Sequence, residues 1–485
     1  MLMPLAKFEP DKSNFNPNGS DSIKNCQPTS DGWGPLQALA PLSAALAAAP
    51  RGAMSFKTDA GSFKTYAGTS ANLYVLDSTD YTFTEKSRST DDYSLADGVF
   101  WRWLRFGNNA IATAVGSDFP QFSALDTADA FANLTNASFE AGLGAVVGDF
   151  VVFARIDGDN RKLKWSGVND MTFWTVGQRG SDEQIIPDGG EIQAIIGQSQ
   201  NGIIVQENAI RMMSFDPGSG VVFRFVTLDP DRGAFASRSV VNIGPNDFAF
   251  LAKDGFYRWS GGQMNPIGAE RVNLWFFETC ASDKYDLVSG TSDPFRKVIR
   301  WRFEQDDGTN LILSYNWQLD RWFYETNNAL DIFSAATAGE TLDTLTTLYS
   351  TLAGMPYALG SRFYKGGIPG LAGFDSDNKL GFFDGDNLEA IIETADMALN
   401  YPRRAVTDRI TVLVDTDDAQ VALASKETQG ASEMFGSFLS RETNLPFINS
   451  RVGGRWHRGQ IKIPSGSTWT NASGIDVEFV DGGFQ

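Results

Sequence analysis

The sequence predicts an all-β chain: a β-propeller of six or seven blades over residues 51–388, an extended arm over residues 1–50 and a β-sandwich-like domain over residues 389–485. Three observations predict it. An aromatic or apolar strand, a small polar turn and a second strand recur along the chain. Trp165, Phe215 and Trp259 of three such units stand 50 and 44 residues apart, near the period of about 40–50 residues expected of propeller blades. The texture then changes near Glu389, where longer alternating strands replace the aromatic hairpins.

The recurring unit is clearest at 254–268, read as DGFYRWSGGQMNPIG. Phe256, Tyr257 and Trp259 favour a pleated strand, and Gly261 and Gly262 can supply the positive φ of a tight hairpin turn. Units at 72–86, 162–177, 211–226, 311–325 and 379–393 repeat the pattern. In chain order, 1–49 is an Asn-, Pro- and Ser-rich arm that could supply a strand to close the ring, while 36–48 (LQALAPLSAALAA) reads as a short apolar connector or helix interrupted by Pro41. Blades follow at 52–83, 100–124, 145–176, 192–228, 240–268 and 285–325, four short antiparallel strands being the arithmetic of a blade. In the third, Phe173–Val176 reads as a strand. A less regular seventh blade is expected between Asp331 and Gly385, with 341–352 (TLDTLTTLYSTL) readable as helix or strand. Between blades, 269–280 carries Val272, Trp275 and Phe276 at i, i+3 and i+4, an amphipathic helix stripe. In the last domain 409–414, 420–424, 454–464 and 474–479 read as strands of a small sandwich.

Composition bounds the function. The 485 residues carry 59 acidic and 40 basic side chains, a net charge of −19. That balance repels nucleic acid and argues against a DNA-gripping protein, though not against a surface past which DNA slides. Two cysteines, Cys26 and Cys280, exclude a disulfide framework and are expected as free thiols in a reducing cytoplasm. No apolar run reaches the ~18–20 residues needed to span a bilayer, and 36–48 lacks the basic flank of a signal peptide. Synthesis and folding in the cytoplasm are the expectation, with no membrane partner.

No catalytic constellation stands out. The single histidine, His457, lies mid-strand between Arg455 and Arg458 and is expected to be a structural strand residue. A Gly-x-Ser-x-Gly elbow, a P-loop and a Gly-x-Gly-x-x-Gly fingerprint are all missing from the sequence. Asp157-Gly158-Asp159, Asp375-Ser376-Asp377 and Asp384-Gly385-Asp386 could offer oxygens to calcium, but none has the spacing of an EF-hand loop, and ordinary turns explain them. The sequence therefore names no catalytic, cofactor-binding or metal-binding residue, and no cofactor.

The order of short motifs resembles that of the nozzle, tail-tubular and packaged-DNA stabilisation proteins of short-tailed bacteriophages. The resemblance runs through Asn25 and Pro28, Gly32-Trp33-Gly34-Pro35, Arg51-Gly52-Ala53, Tyr66-Ala67-Gly68-Thr69, Lys164 to Asp170, and Gln206 to Arg211. It is firmest at Asp254-Gly255-Phe256-Tyr257 and Pro266 to Val272, and ends on Gly454-Arg455-Trp456-His457-Arg458 and Ile463-Pro464-Ser465-Gly466. The resemblance implies a non-enzymatic virion protein that forms a homo-hexameric ring below portal and adaptor. Its partners would be other tail proteins and packaged double-stranded DNA, retained or guided without sequence-specific binding. An acidic ring lumen would keep phosphates from sticking. The alternative from the residues alone is a host-attachment propeller that binds or cleaves glycans, marked by an aromatic platform and paired carboxylates; a sensor or scaffold propeller is a third.

Overall fold

The computed structural model describes residues 1–12, 18–78, 80–89, 92–216, 218, 220–336, 345–346, 351, 369–442 and 445–483. Among them are eight four-stranded sheets and one seven-stranded sheet. Seven of the four-stranded sheets succeed one another along the chain as antiparallel blades: 53–85, 102–133, 141–185, 192–229, 241–266, 289–325, and a last one built from Asp331–Ala335, Gly370–Phe374 and Lys379–Phe382 with Ala40–Ala45 from the arm. The blade count is thus seven. Within each chain-continuous blade the strands pair in sequence order, as two- to few-residue turns dictate. The hairpin at Gly255–Ser260 and Gln263–Pro266 turns through Gly261 (φ 62°) and Gly262 (φ 81°), the left-handed pair that lets a tight turn follow the twist of its strands.

A propeller holds together between blades, because each sheet is too small to bury its own faces. Here every neighbouring pair shares an apolar cluster. Phe56 and Tyr66 meet Trp101 and Ala112 between blades 1 and 2; Leu104 and Ile111 meet Val151 and Phe153 between 2 and 3; Val152 and Trp165 meet Ile204 and Phe223 between 3 and 4. Ile203 and Val205 meet Phe248 and Trp259 between 4 and 5, Phe256 meets Trp301 and Trp322 between 5 and 6, and Ile312 meets Ile332 and Phe383 between 6 and 7. Phe333 and Phe374 of blade 7 then meet Ala67 and Tyr74 of blade 1, which shuts the ring. Closure removes the open sheet-to-sheet face that a linear array would leave.

The closing strand is the segment read from sequence as a connector or helix. Residues Ala40–Ala45 form the outer strand of blade 7, paired with Lys379–Phe382. Alanine and Pro41 have little strand preference, but an outermost strand tolerates proline, because its missing N–H can face away from the ladder. Gly381 makes the approach possible: a Cβ there would lie 2.2 Å from the carbonyl oxygen of Ala40.

Two further sequence readings are corrected. Phe173–Val176 is not a strand. Asp170 Oδ1 accepts from the backbone N–H and hydroxyl of Thr172, and Trp174 is buried against Phe139 and Phe153. The aromatic residues there roof the blade, whose fourth strand is Asp182–Ile185. The 379–393 unit is not one hairpin either: Lys379–Phe382 ends blade 7, whereas Ala390–Glu393 pairs with Gln460–Ile463 in the next domain. Within 269–280 the helix runs Asn273–Thr279, with Val272 and Phe276 fully buried as the stripe requires. The 341–352 reading falls almost wholly outside the described residues.

The C-terminal domain packs two sheets. One orders Ala390–Glu393, Trp456–Ile463, Gln420–Lys426 and Leu439–Ser440. In Trp456–Ile463 the alternation is strict, with His457, Gly459, Ile461 and Ile463 buried and their neighbours half-buried. The other sheet centres on Ala405–Val414 and Ala472–Asp481 and includes three strands from the arm: Leu2–Pro4, Cys26–Pro28 and Trp33–Pro35. The arm is therefore an integral part of both domains. Its residues Met3, Phe8, Ile23, Cys26, Trp33 and Leu36 lie in one continuous core with blades 5 and 6 and the sandwich.

Candidate functional site

Two features gather polar chemistry: the seam that the arm makes with both domains, and the mouth of the propeller's axial cavity.

The seam begins at Asp11, whose carboxylate accepts from the backbone N–H groups of Leu274 and Trp275 at 2.9 Å each and so caps the Asn273–Thr279 helix from across the chain. Asn25, at φ 58°, donates to the carbonyl of Glu389 at 2.9 Å and accepts from the backbone and hydroxyl of Thr326. One side chain thus joins the arm, blade 6 and the first strand of the sandwich. Below it, Arg300 and Glu325 form an ion pair in which both side chains are 1% exposed. Glu325 also accepts from Asn327 at 2.8 Å, and Asn327 donates to the carbonyl of Gln37 and accepts from the N–H of Leu39, just ahead of the closing strand.

At the other end of the seam five charged side chains meet. Lys426 Nζ lies 2.6 Å from Asp396 and 2.7 Å from Glu433, and Arg458 lies 3.1 Å from Asp396 and 3.4 Å from Glu433. Arg458 donates to the carbonyl of Gly19 at 2.8 Å, while Glu393 accepts from Ser20 of the arm at 2.5 Å and from Gln460 at 2.9 Å. Burial pushes the Glu393 and Asp396 carboxyls above the usual carboxylate range, against the pull of their hydrogen-bond partners and Arg458. Both carboxylates are sealed, 2% and 1% exposed, and engaged with cations or the arm. A glycoside-cleaving pair must face a cleft that admits sugar and water; here Glu393 is covered by Ser20 of the arm and Asp396 by Lys426 and Arg458. Its chemistry is that of a clamp.

His457 sits in the sandwich core, 1% exposed, with Nε2 3.4 Å from the carbonyl oxygen of Val452. Burial lowers its pKa below the ordinary 6.5. The neutral ring is favoured by folding, so its contribution is complete above pH 6.5 and is lost as pH falls through the depressed folded value. Being the only histidine, it gives one imidazole resonance. An NMR titration is expected to place its pKa below 6.5, and His457→Gln is expected to flatten the fall in urea-unfolding stability just below that pH.

The axial cavity, about 490 Å³, is lined by the innermost strands of all seven blades. At the end where these strands begin, Arg102 of blade 2 donates to Ser237 Oγ at 2.8 Å, and Ser237 donates to the carbonyl of Gln193 at 2.5 Å. Arg155 of blade 3 donates to the carbonyl of Ile192 and to Gln193 Oε1, both at 2.7 Å. Arg238 lies over the Phe100 ring at 3.8 Å and pairs with Asp331 of blade 7. These contacts staple blades 2, 3, 4 and 7 around the mouth.

The Asp-rich segments do ordinary work. Asp157 and Gly158, at φ 49° and 81°, turn one hairpin of blade 3. Asp375 Oδ1 accepts from the N–H groups of Asp377 and Lys379, and 384–386 exchanges backbone hydrogen bonds with Ala38 of the arm. Among the described residues no group of three His, Cys, Asp or Glu is placed to hold a metal ion. Cys26 and Cys280 are buried free thiols, each pushed upward in pKa by burial. Among the described residues no helix is long and apolar enough to cross a membrane. Sequence reasoning found neither the arginines at the cavity mouth nor the clamp, because each residue is ordinary in its own stretch and its partners lie far along the chain.

Fold and seam together define a seven-bladed β-propeller locked to a β-sandwich by an N-terminal arm. No family model and no curated protein matches the sequence. Among solved structures, the N-terminal domain of Nup159 is similar at 13% identity and a TM-score of 0.31, over 52% of this chain and 72% of that one. That likeness is too loose to carry a fold or a function from one protein to the other.

Proposed function

We propose that this chain is a non-enzymatic structural subunit of a short-tailed bacteriophage tail, a nozzle or hub ring of six copies below portal and adaptor that retains the packaged genome and forms part of its exit channel. The observation that supports this reading best is the arm. It closes the propeller, adds three strands to the sandwich and buries six large apolar side chains along the way, so that load on either domain passes through backbone ladders and a shared core rather than a flexible linker. The polar clusters of the seam serve the same end, since Arg458 and Glu393 bond directly to Gly19 and Ser20 of the arm.

DNA in this reading follows the axis of the assembled ring. A cavity of about 490 Å³ cannot pass a duplex whose major groove alone is ~12 Å wide. A closed ring needs a heterologous interface whose rotation returns to its start. Quantitative mass spectrometry of purified phage particles is expected to find the chain at about six copies per particle. Its absence from particles that assemble and eject DNA normally would end the proposal.

A further inference from the structure

We propose that the mouth of the propeller's axial cavity binds a small oxyanion of phosphate size, held by Arg102 and Arg238, which line it. The guanidinium of Arg102 carries five N–H donors, of which one is engaged, with the neutral hydroxyl of Ser237. Among the described residues no carboxylate lies within ion-pair distance of Arg102, whereas the chain as a whole has 59 acidic residues to 40 basic. The one carboxylate of the mouth, Asp331, is committed to Arg238. The rest of the nearby lining is hydroxyl, amide and apolar: Gln193, Ser289, Thr291 and Ser334.

The electrostatics agree with the geometry. The Arg102 guanidinium is pushed down to about 9, first by burial and then by the like charges of Arg238 and Arg155, with Asp331 only partly offsetting them. Arg155, behind the lining, is lowered by burial, with Glu191 and Glu207 partly offsetting it. Arg102 and Arg238 share one carboxylate at the mouth, which leaves positive potential facing the cavity. A planar guanidinium fork matches two oxygens of a tetrahedral or carboxylate anion. A concave site with a few converging polar groups of perturbed pKa is the usual form of a small-ligand pocket. The cavity, about 490 Å³, has room for a phosphate-sized anion together with its hydration water. The staples to Ser237 and Gln193 also give the arginines a purely structural use, and the experiment separates the two.

The test is isothermal titration calorimetry of the full chain with inorganic phosphate, with acetate as a carboxylate arm and sodium chloride at matched ionic strength. Saturable heat with phosphate or acetate, but not chloride, is expected, the tighter of the two identifying the anion class. Arg102→Gln is expected to weaken that binding at least tenfold, and the exposed-surface control Arg409→Gln to leave it unchanged. If Arg102→Gln does not fold, Arg238→Gln, at the other lining arginine, carries the comparison, with a weakening of several-fold expected. Absence of saturable heat from the millimolar range downward, or binding that survives in the folded arginine variants, overturns the proposal and leaves the arginines as staples only.

Discussion

Deleting residues 1–46 is expected to abolish cooperative folding of the whole chain, not merely to free a tail. The deletion removes the outer strand of blade 7 and three strands of the sandwich. It also removes Met3, Phe8, Ile23, Trp33, Leu36 and Leu46, none more than 3% exposed. At roughly 1.5–3 kcal/mol for each buried large apolar side chain, their loss is comparable to the entire margin of about 5–15 kcal/mol that separates folded from unfolded domains. The facing surfaces would suffer too. Tyr324 and Trp275, which pack on Phe8 at 5.0 and 5.2 Å, would be uncovered, and Arg458 would lose its partner at Gly19. Two lesser variants divide the effect. A chain starting at residue 39 keeps the closing strand, so its propeller should retain a thermal transition while the sandwich loses its own. In Trp33→Ala the buried indole and its hydrogen bond to the Ala6 carbonyl are lost, a change expected to cost about 3–5 kcal/mol. Scanning calorimetry with tryptophan fluorescence reads all three. A truncated chain from residue 47 that melts in one sharp transition near the full-length temperature would show that the arm is dispensable.

The parts legible in the sequence are those whose structure is local. A blade hairpin announces itself through aromatic strand residues and a turn that needs positive φ, as at Phe256 to Met264, and six units read in this way bracketed the blade count at six or seven. The arm was only half legible. Pro-Gly punctuation marked it as extended, and ring closure by a terminus was expected, but Ala40–Ala45 carries none of the β-branched or aromatic residues that mark a strand. Its strand state is imposed by Lys379–Phe382, more than three hundred positions away. Tertiary pairing overrides weak propensity in this way because an edge strand contributes hydrogen bonds and little core. At Phe173 to Val176 the opposite error arose: strongly strand-like residues form a roof because Asp170 starts a turn and Trp174 has a pocket to fill. The clamp and the arginines at the cavity mouth lay beyond sequence reasoning for a different reason. Arg102, Arg155 and Arg238 converge only once the ring has closed, and no spacing rule along the chain connects them. Placing the blades in register would have found two of them, since Arg102 opens the inner strand of blade 2 and Arg238 lies in the short turn just ahead of that of blade 5, which begins at Val241.

Breaking the Arg300–Glu325 pair from one side is expected to be the most damaging single charge change in the propeller. Both side chains are 1% exposed, so Glu325→Ala leaves a guanidinium with neither water nor counter-charge. Removing one partner of a buried pair typically costs about 3–5 kcal/mol, whereas replacing both by packed apolar residues of similar volume is often neutral or better. The double variant Arg300→Met, Glu325→Leu should therefore recover most of the stability that Glu325→Ala loses. It should not recover everything, because Glu325 also holds Asn327, and Asn327 holds Gln37 and Leu39 at the root of the closing strand. The residual deficit measures what the network adds beyond the ion pair, namely the alignment of residues 37–39 for entry into blade 7. Hydrogen exchange makes the distinction visible. In the double variant the amides of the blade 6 strands should stay protected while those around Ala40–Ala45 exchange faster. If denaturant midpoints place Glu325→Ala within about 1 kcal/mol of the parent, at the level of an exposed pair, then the pair is reached by water and the seam is looser than its geometry implies.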